Sequence, residues 1–467
     1  MLHLVPHLVT QHSARLWLCA RGVEKAQLDS ISLRVNGIDV PVPVKDWQDF
    51  PPGGSVDWRP TGAMPLHYQF IDKATLKSDR MYEASASLGN GEPVQARFAT
   101  LPEQLGDETK PLRVLLSSCY FTGNKRSRLA SSLFSQLDRN GLRPHFRIWA
   151  GDQVYLDAPW YEFAIKSHSI AEIEQLHSAT YARTWFADQG LSSVLAQGAN
   201  VFCTDDHELW NNAPHPSATA RDTYESTKRK AWQAMARALG QTFQGNTANG
   251  QRFRVPPLDF FVLDTRVNRE ECCGRLFSDA QWRQLRAWAA EPSGLGVLVL
   301  GQPIFESTSR RRGSFGDYRL ADYERDYIEL MDLLGRSTRS TTVLTGDLHF
   351  SRVTSCAFPA GARARNERRV TELISSPLSL VAGGQLLSLF GGWAAAPAKA
   401  SLPARHSFSG TTMNTDEALR SVAEGTMLLE FYRRGQRVFC TVSHWRLDDL
   451  DASRPSFRQE YFLGTRS

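Results

Sequence analysis

Six short apolar runs, each breaking off at a polar tip, constrain the fold of this chain more than any other feature. They are LRVLLSS (112–118), HFRIWAGD (145–152), ANVFCTDD (199–206), LDFFVLDTR (258–266), GLGVLVLGQ (294–302) and STTVLTGDLH (340–349). Continuous apolar runs of this length read as strands buried on both faces, the mark of a largely parallel sheet. Helical patterns fill the gaps. KRSRLASSLFSQLDRNG (125–141) has helical spacing of apolar residues and a glycine stop. In SDAQWRQLRAWAAE, Ser278 is followed three residues on by Gln281, a capping box. ADYERDYIELMDLLGR (321–336) is expected to end near Gly335. Alternating strands and helices predict an α/β region with helices on the sheet faces.

At 467 residues the chain is long enough for two or three domains. Residues 1–105 read as an N-terminal β-sandwich. Short alternating runs are separated by turn residues, with Asn36-Gly37 and Asn90-Gly91 placed as hairpin turns. LPEQLGDETKP (101–111) is polar with a proline near each end and reads as a linker, so residues 106–467 form the second, α/β domain. Within it, 210–255 is expected to be an insertion of helix and loop, and 357–369 and 383–412 surface loops; GTMLLEFYRRGQRVFCTVSHW (425–445) has hairpin character.

The charge balance, 54 basic against 49 acidic residues, is a mild excess spread along the chain and gives no argument for nucleic acid. No stretch approaches the ~18 apolar residues of a membrane span. The N-terminus lacks the features of a signal peptide, which predicts a cytoplasmic protein, or a secreted one if a leader has been trimmed. Seven cysteines without repeating spacing, Cys272-Cys273 among them, read as reduced thiols.

The strand tips share one chemistry. Cys119 follows the first run. Asp152, Tyr155 and Asp157 follow the second, in WAGDQVYLD (149–157). The third leads into Asp205-Asp206-His207-Glu208 with Asn211 and Asn212, and the sixth into Asp347 and His349. Taken singly, each has a plain explanation: a strand-ending Asp caps a helix, a lone Cys fills core space, and a lone His is a satisfied, partly buried side chain. Ligands of open α/β sheets gather beyond the carboxyl ends of strands, and Asp, His, Cys and Tyr converging there form a metal-ligand inventory.

The order SCY, GDQVY, DDHE, LDTR, GDLH, followed by ELISSP (372–377), resembles the alkaline phosphatase D (PhoD-like) family of metallophosphatases over most of the chain. The GD-x-x-Y piece also resembles purple acid phosphatases, in which that tyrosine binds ferric iron. The resemblance implies a four-layer αββα metallophosphatase sandwich preceded by the small β-sandwich, with two metal ions at the sheet ends. Asp152 would bridge the ions, Cys119, Tyr155 and His349 would complete one site, and Asp206 and Asp347 would hold the other. His207 would face the scissile phosphate. The wider fold has a histidine where LVLGQP places Gln302.

A thiolate, phenolate, carboxylate and imidazole around one ion suit trivalent iron or a borderline-soft metal, and the oxygen-only set suits calcium, magnesium or manganese. The resemblance implies iron and calcium, with manganese, magnesium or zinc as substitutes. The implied reaction is hydrolysis of a phosphate mono- or diester by a metal-bridging hydroxide. In it His207 stabilises charge or protonates the leaving group, with Glu208 either orienting it or forming a salt bridge. Arg266 would grip a phosphate oxygen or pair with Asp264, and Arg310-Arg311-Arg312 would draw in anionic substrate or simply be solvated. Two other readings remain: a non-catalytic metal-binding scaffold, and a metallohydrolase of non-phosphate esters.

Overall fold

The computed structural model describes residues 1–50, 66–122, 126–157, 169–186, 191–210, 212–214, 226–245, 250–270, 273–306, 318–358, 368–379, 400–402, 412–448 and 454–465. Asn211, Cys272, Arg310, Arg311, Arg312 and most of 383–412 lie outside the described residues.

Eight strands come first: β1 (Leu2–Val9), β2 (Ala14–Arg21), β3 (Ile31–Val35), β4 (Ile38–Val40), β5 (Gln48–Phe50), β6 (Leu66–Lys73), β7 (Met81–Leu88) and β8 (Val94–Ala99). They form two four-stranded antiparallel sheets, ordered β1-β2-β6-β5 and β4-β3-β7-β8. Asn36-Gly37 joins β3 to β4 with Val35 opposite Ile38, and Asn90-Gly91 lies in the β7–β8 loop. In β3, Ile31, Leu33 and Val35 point inward and Ser32 and Arg34 outward. With Phe98 they share one buried cluster with Leu4, Leu16 and Leu18 of the first sheet. That first sheet is buried on its other face too: Val5, Trp17 and Cys19 pack under later helices, with Trp17 5.3 Å from Trp185. This double burial explains why ARLWLCAR (14–21) is apolar nearly throughout.

The remaining strands are β9 (Leu112–Ser117), β10 (Phe146–Ala150), β11 (Ala199–Cys203), β12 (Gln251–Val255), β13 (Leu258–Val262), β14 (Leu295–Val299), β15 (Thr341–Thr345), β16 (Ser351–Phe358), β17 (Arg368–Ile374), β18 (Thr412–Ser421), β19 (Gly425–Arg434), β20 (Arg437–Arg446) and β21 (Phe457–Thr465). They make a six-stranded sheet, β11-β10-β9-β19-β20-β21, and a seven-stranded one, β12-β13-β14-β15-β17-β16-β18. Within these, β9, β10 and β11 are parallel, as are β13, β14, β15 and β17.

The period of two decides the layers. Leu116, Ile148, Val201, Phe260, Val297 and Leu344 meet between the two sheets. Their neighbours Leu115, Trp149 and Phe202 face helices α1 (Ser127–Arg139), α2 (Ile170–Phe186), α3 (Leu191–Leu195) and α4 (Ser226–Leu239). On the other side Phe261, Leu298 and Val343 face α5 (Asp279–Ala289) and α6 (Glu324–Arg336). The result is the four-layer αββα sandwich that the resemblance implies. Among the described residues no helix is long and apolar enough to cross a membrane.

One local reading is corrected. Residues 251–255, expected within an insertion, form edge strand β12, because Phe253 and Val255 alternate with arginines in a half-buried strand pattern. Helix α6 ends at Arg336, beside Gly335 as expected; a Cβ on that glycine would come within 2.9 Å of the Phe358 ring, so it also serves close packing. The segment 101–111 connects β8 to β9 and is pinned along its length: Leu101 and Leu105 are fully buried and Leu105 N–H donates to the Pro256 carbonyl. The capping box at Ser278 and the hairpin over 425–446 are present.

Candidate metal site

The parallel strands of both sheets run out at one end of the sandwich. Cys119 follows β9, Asp152 follows β10, Asp205 and Asp206 follow β11, and Asp347 and His349 follow β15. The turns are sharp: Cys119, Asp152, Asn212, Asp347 and His349 all have φ between 51° and 67°. They are five of the nine non-glycine residues with positive φ among those described. Side chains in this region cost energy and collect at functional sites. Glycine lets the tips close up. A Cβ on Gly151 would lie 2.5 Å from Asp205 Cβ, and one on Gly346 would strike the Ala150 carbonyl and the Ser118 side chain.

Three groups of ligand atoms result, each lying within 4.8 Å of one another: Cys119, Asp152 and His349; Asp152, Asp206 and His207; and Asp152, Asp205, Asp206 and Asp347. Asp152 belongs to all three. Tyr155 is buried beside them, its ring 4.3 Å from that of His207 and 5.6 Å from that of Phe121. Asp205 was not singled out as a ligand from the sequence, yet it faces the same space as Asp206.

The residues fit a bound cation. Tyr155 Oη, Asp205 Oδ2 and Asp206 Oδ1 are buried, with no hydrogen-bond partner among the described residues. Such atoms are costly unless something satisfies them. Burial, reinforced by the neighbouring Cys119 charge, raises the Asp152 carboxyl well above the carboxylate range. Burial also pushes the Cys119 thiol up to about 12 and raises the Tyr155 phenol, with Cys119 and Asp152 adding to the latter. So many acidic groups in one dry space do not all ionise by themselves; a multivalent cation would supply the missing charge and favour their ligand forms. At Asp206, burial works upward, but the charges of Arg266 and His207 outweigh it and hold the carboxyl below its ordinary value. One of the three groups brings sulfur and imidazole beside a carboxylate, one an imidazole beside two carboxylates, and one carboxylates alone.

Three surrounding residues have roles that the sequence did not reveal. Asp157 Oδ1 lies 2.7 Å from His207 Nδ1, so Asp157 and not Glu208 holds that imidazole. Burial works to lower the His207 pKa, but Asp157, Asp206 and Asp152 raise it well above 6.5. Glu208 instead accepts backbone N–H groups from Asp152 (2.9 Å), Gln153 (2.5 Å), Val154 (3.1 Å) and Asp205 (2.9 Å), fixing the turn that presents Asp152. Gln302 donates to Asp347 Oδ2 at 3.0 Å while its oxygen accepts from Arg269 at 2.7 Å, so it steadies a carboxylate in place of acting as a ligand.

Arg266 is corrected. Its buried guanidinium donates to Asp205 Oδ1 and, at 3.0 Å, to the Ala213 carbonyl, and lies 3.7 Å from Asp206 Oδ1. It braces these carboxylates from behind and is neither a phosphate fork nor a surface partner of Asp264. A separate cleft of about 400 Å³, lined by Gly106, Asp107, Lys110 and Arg433, opens near the Leu112 end of β9, opposite the tips.

Fold and site together define a class: a four-layer metallophosphatase-like sandwich with an Asp-, His- and Cys-rich centre at its strand ends. Within that class, the chain superposes on the solved structure of PhoD with a TM-score of 0.62, over 100% of this chain and 92% of that one. The identity is 13%, so the likeness is one of fold. A β-glucuronidase of Parabacteroides merdae aligns over 74% of this chain and 48% of its own, at 10% identity and a TM-score of 0.24, and carries no argument. No family model matches the chain, and no curated protein matches it in sequence.

Proposed function

We propose that this chain is a metal-dependent hydrolase of phosphate mono- or diesters. The observation that carries the reading is the sharing of Asp152 among three clusters of ligand atoms, each within 4.8 Å. Cys119, Asp152, Tyr155 and His349 would hold one cation, iron by the softness and charge of the set; Asp152, Asp206 and Asp347, with Asp205 adjoining, would hold the other, calcium by its oxygens. When bound, such a pair activates water near neutral pH and neutralises phosphoryl oxygens. The chain's own residues then do the rest. Asp157 fixes His207 through Nδ1 and leaves Nε2 to carry the proton that a departing alkoxide needs. Glu208 and Gln302 keep Asp152 and Asp347 from shifting.

The test uses p-nitrophenyl phosphate and its bis-ester with purified protein of known metal content, before and after chelation and readdition of iron, calcium, manganese or zinc. Hydrolysis lost on chelation, regained with metal, blocked by vanadate and absent in Asp152→Asn is expected. A metal-loaded protein inert to both esters would leave a binding scaffold, and turnover of carboxylic esters insensitive to vanadate would point to another hydrolase.

A further inference from the structure

Cys119 Sγ is fully buried and has two hydroxyls near it, Ser376 Oγ at 3.1 Å and Ser118 Oγ at 3.5 Å. A hydroxyl has a single proton to give. Ser118 Oγ lies 2.9 Å from the Ser375 carbonyl, which only accepts, so its proton is used there. Ser376 Oγ receives the backbone N–H of His349 at 3.2 Å. An amide N–H only donates, so this contact occupies a lone pair on Ser376 and leaves its proton for the sulfur. Ser376 comes from the end of β17, the parallel neighbour of the strand that leads to His349, and is itself fully buried. One hydroxyl thus joins two residues, Cys119 and His349, that both stand in the strained left-handed conformation.

We propose that Ser376 is a positioning residue of the cation site: it donates a hydrogen bond to the Cys119 sulfur while its oxygen holds the His349 backbone, fixing thiolate and imidazole relative to one another and drawing electron density from the sulfur. The role rests on the reading that Cys119 and His349 share a cation. Hydrogen bonds to ligating sulfur make it a poorer electron donor, which shows directly in the metal's spectrum and potential.

Cobalt(II) added to the metal-free full-length protein is the probe. In the wild type a thiolate-to-cobalt charge-transfer band is expected, absent in Cys119→Ser. Ser376→Ala should move it to lower energy at unchanged cobalt stoichiometry, and Ser376→Thr, which keeps the hydroxyl, should return it. A band that disappears in Cys119→Ser but stands still in Ser376→Ala overturns the role of Ser376 alone. Cobalt bound without any sulfur band overturns Cys119 as a ligand and Ser376 with it. Should Ser376→Ala fail to fold, the cobalt–sulfur stretch of the wild type is compared in H₂O and D₂O. A shift on exchange supports the donated hydrogen bond, and an unmoved stretch overturns it.

Discussion

Asp157→Asn keeps an oxygen that can accept from His207 Nδ1 and removes only the charge. The contact is 2.7 Å long, with side-chain exposures of 14% for His207 and 6% for Asp157, so water screens it little. A hydrogen bond to a charged group contributes about 1.5–3 kcal/mol. At about 1.4 kcal/mol per decade this is a loss of roughly 10- to 100-fold in the support given to protonated His207. If His207 gives its proton to the leaving oxygen, an alkyl phosphate, whose alkoxide needs that proton, should lose about this factor in kcat/KM. p-Nitrophenyl phosphate, whose phenolate leaves unaided, should stay close to wild type. The assay is steady-state kinetics on the two substrates, with metal content measured in both proteins because Asp206 adjoins His207. Equal losses on both substrates at equal metal content would refute the reasoning, as would no loss on either.

Arg266→Met strips the buried brace from Asp205 and Asp206. It should cost about 3–5 kcal/mol of stability and reduce bound metal, read by denaturation and elemental analysis; a raised KM at unchanged stability would restore Arg266 as a substrate contact. Glu208→Gln turns an amide NH₂ toward backbone donors that now meet a carboxylate. At about 1–3 kcal/mol for each donor left unsatisfied, metal affinity should fall by tens-fold or more in a titration, and unchanged affinity would contradict the clamp. Asp259, far from the site, accepts from Arg252, Arg254 and Arg339; burial pushes its pKa up, but these arginines outweigh it and hold it below the ordinary value. Its stabilisation is therefore full above about pH 4 and lost as pH falls through the lower folded value. Urea denaturation should show Asp259→Asn costing less at about pH 3 than near pH 7, and an equal cost at both would contradict this.

The strands, the helices between them and the ends of the strands were legible in the sequence because they depend on local pattern, whereas the four-layer order was implied only by the family resemblance. Near-continuous apolar runs such as LGVLV require burial on both faces, and the residue at which apolarity stops marks where a strand ends. Cys119, Asp152, Asp206, Asp347 and His349 could be named as a set for that reason. Only the tertiary structure decided how the second rank of polar residues is used. Asp157 and Glu208 both lie near Asp152 and His207 in the chain, yet which of them holds the imidazole and which holds the backbone depends on the angle at which two turns from different strands meet. Arg266 has the composition of a phosphate contact and becomes a brace because the exit of β13 lies behind Asp205. Ser376 reaches Cys119 across 257 positions. Periodicity reports which way a side chain faces relative to its own strand, and a hydrogen bond between distant tips is fixed only when the sheets pack.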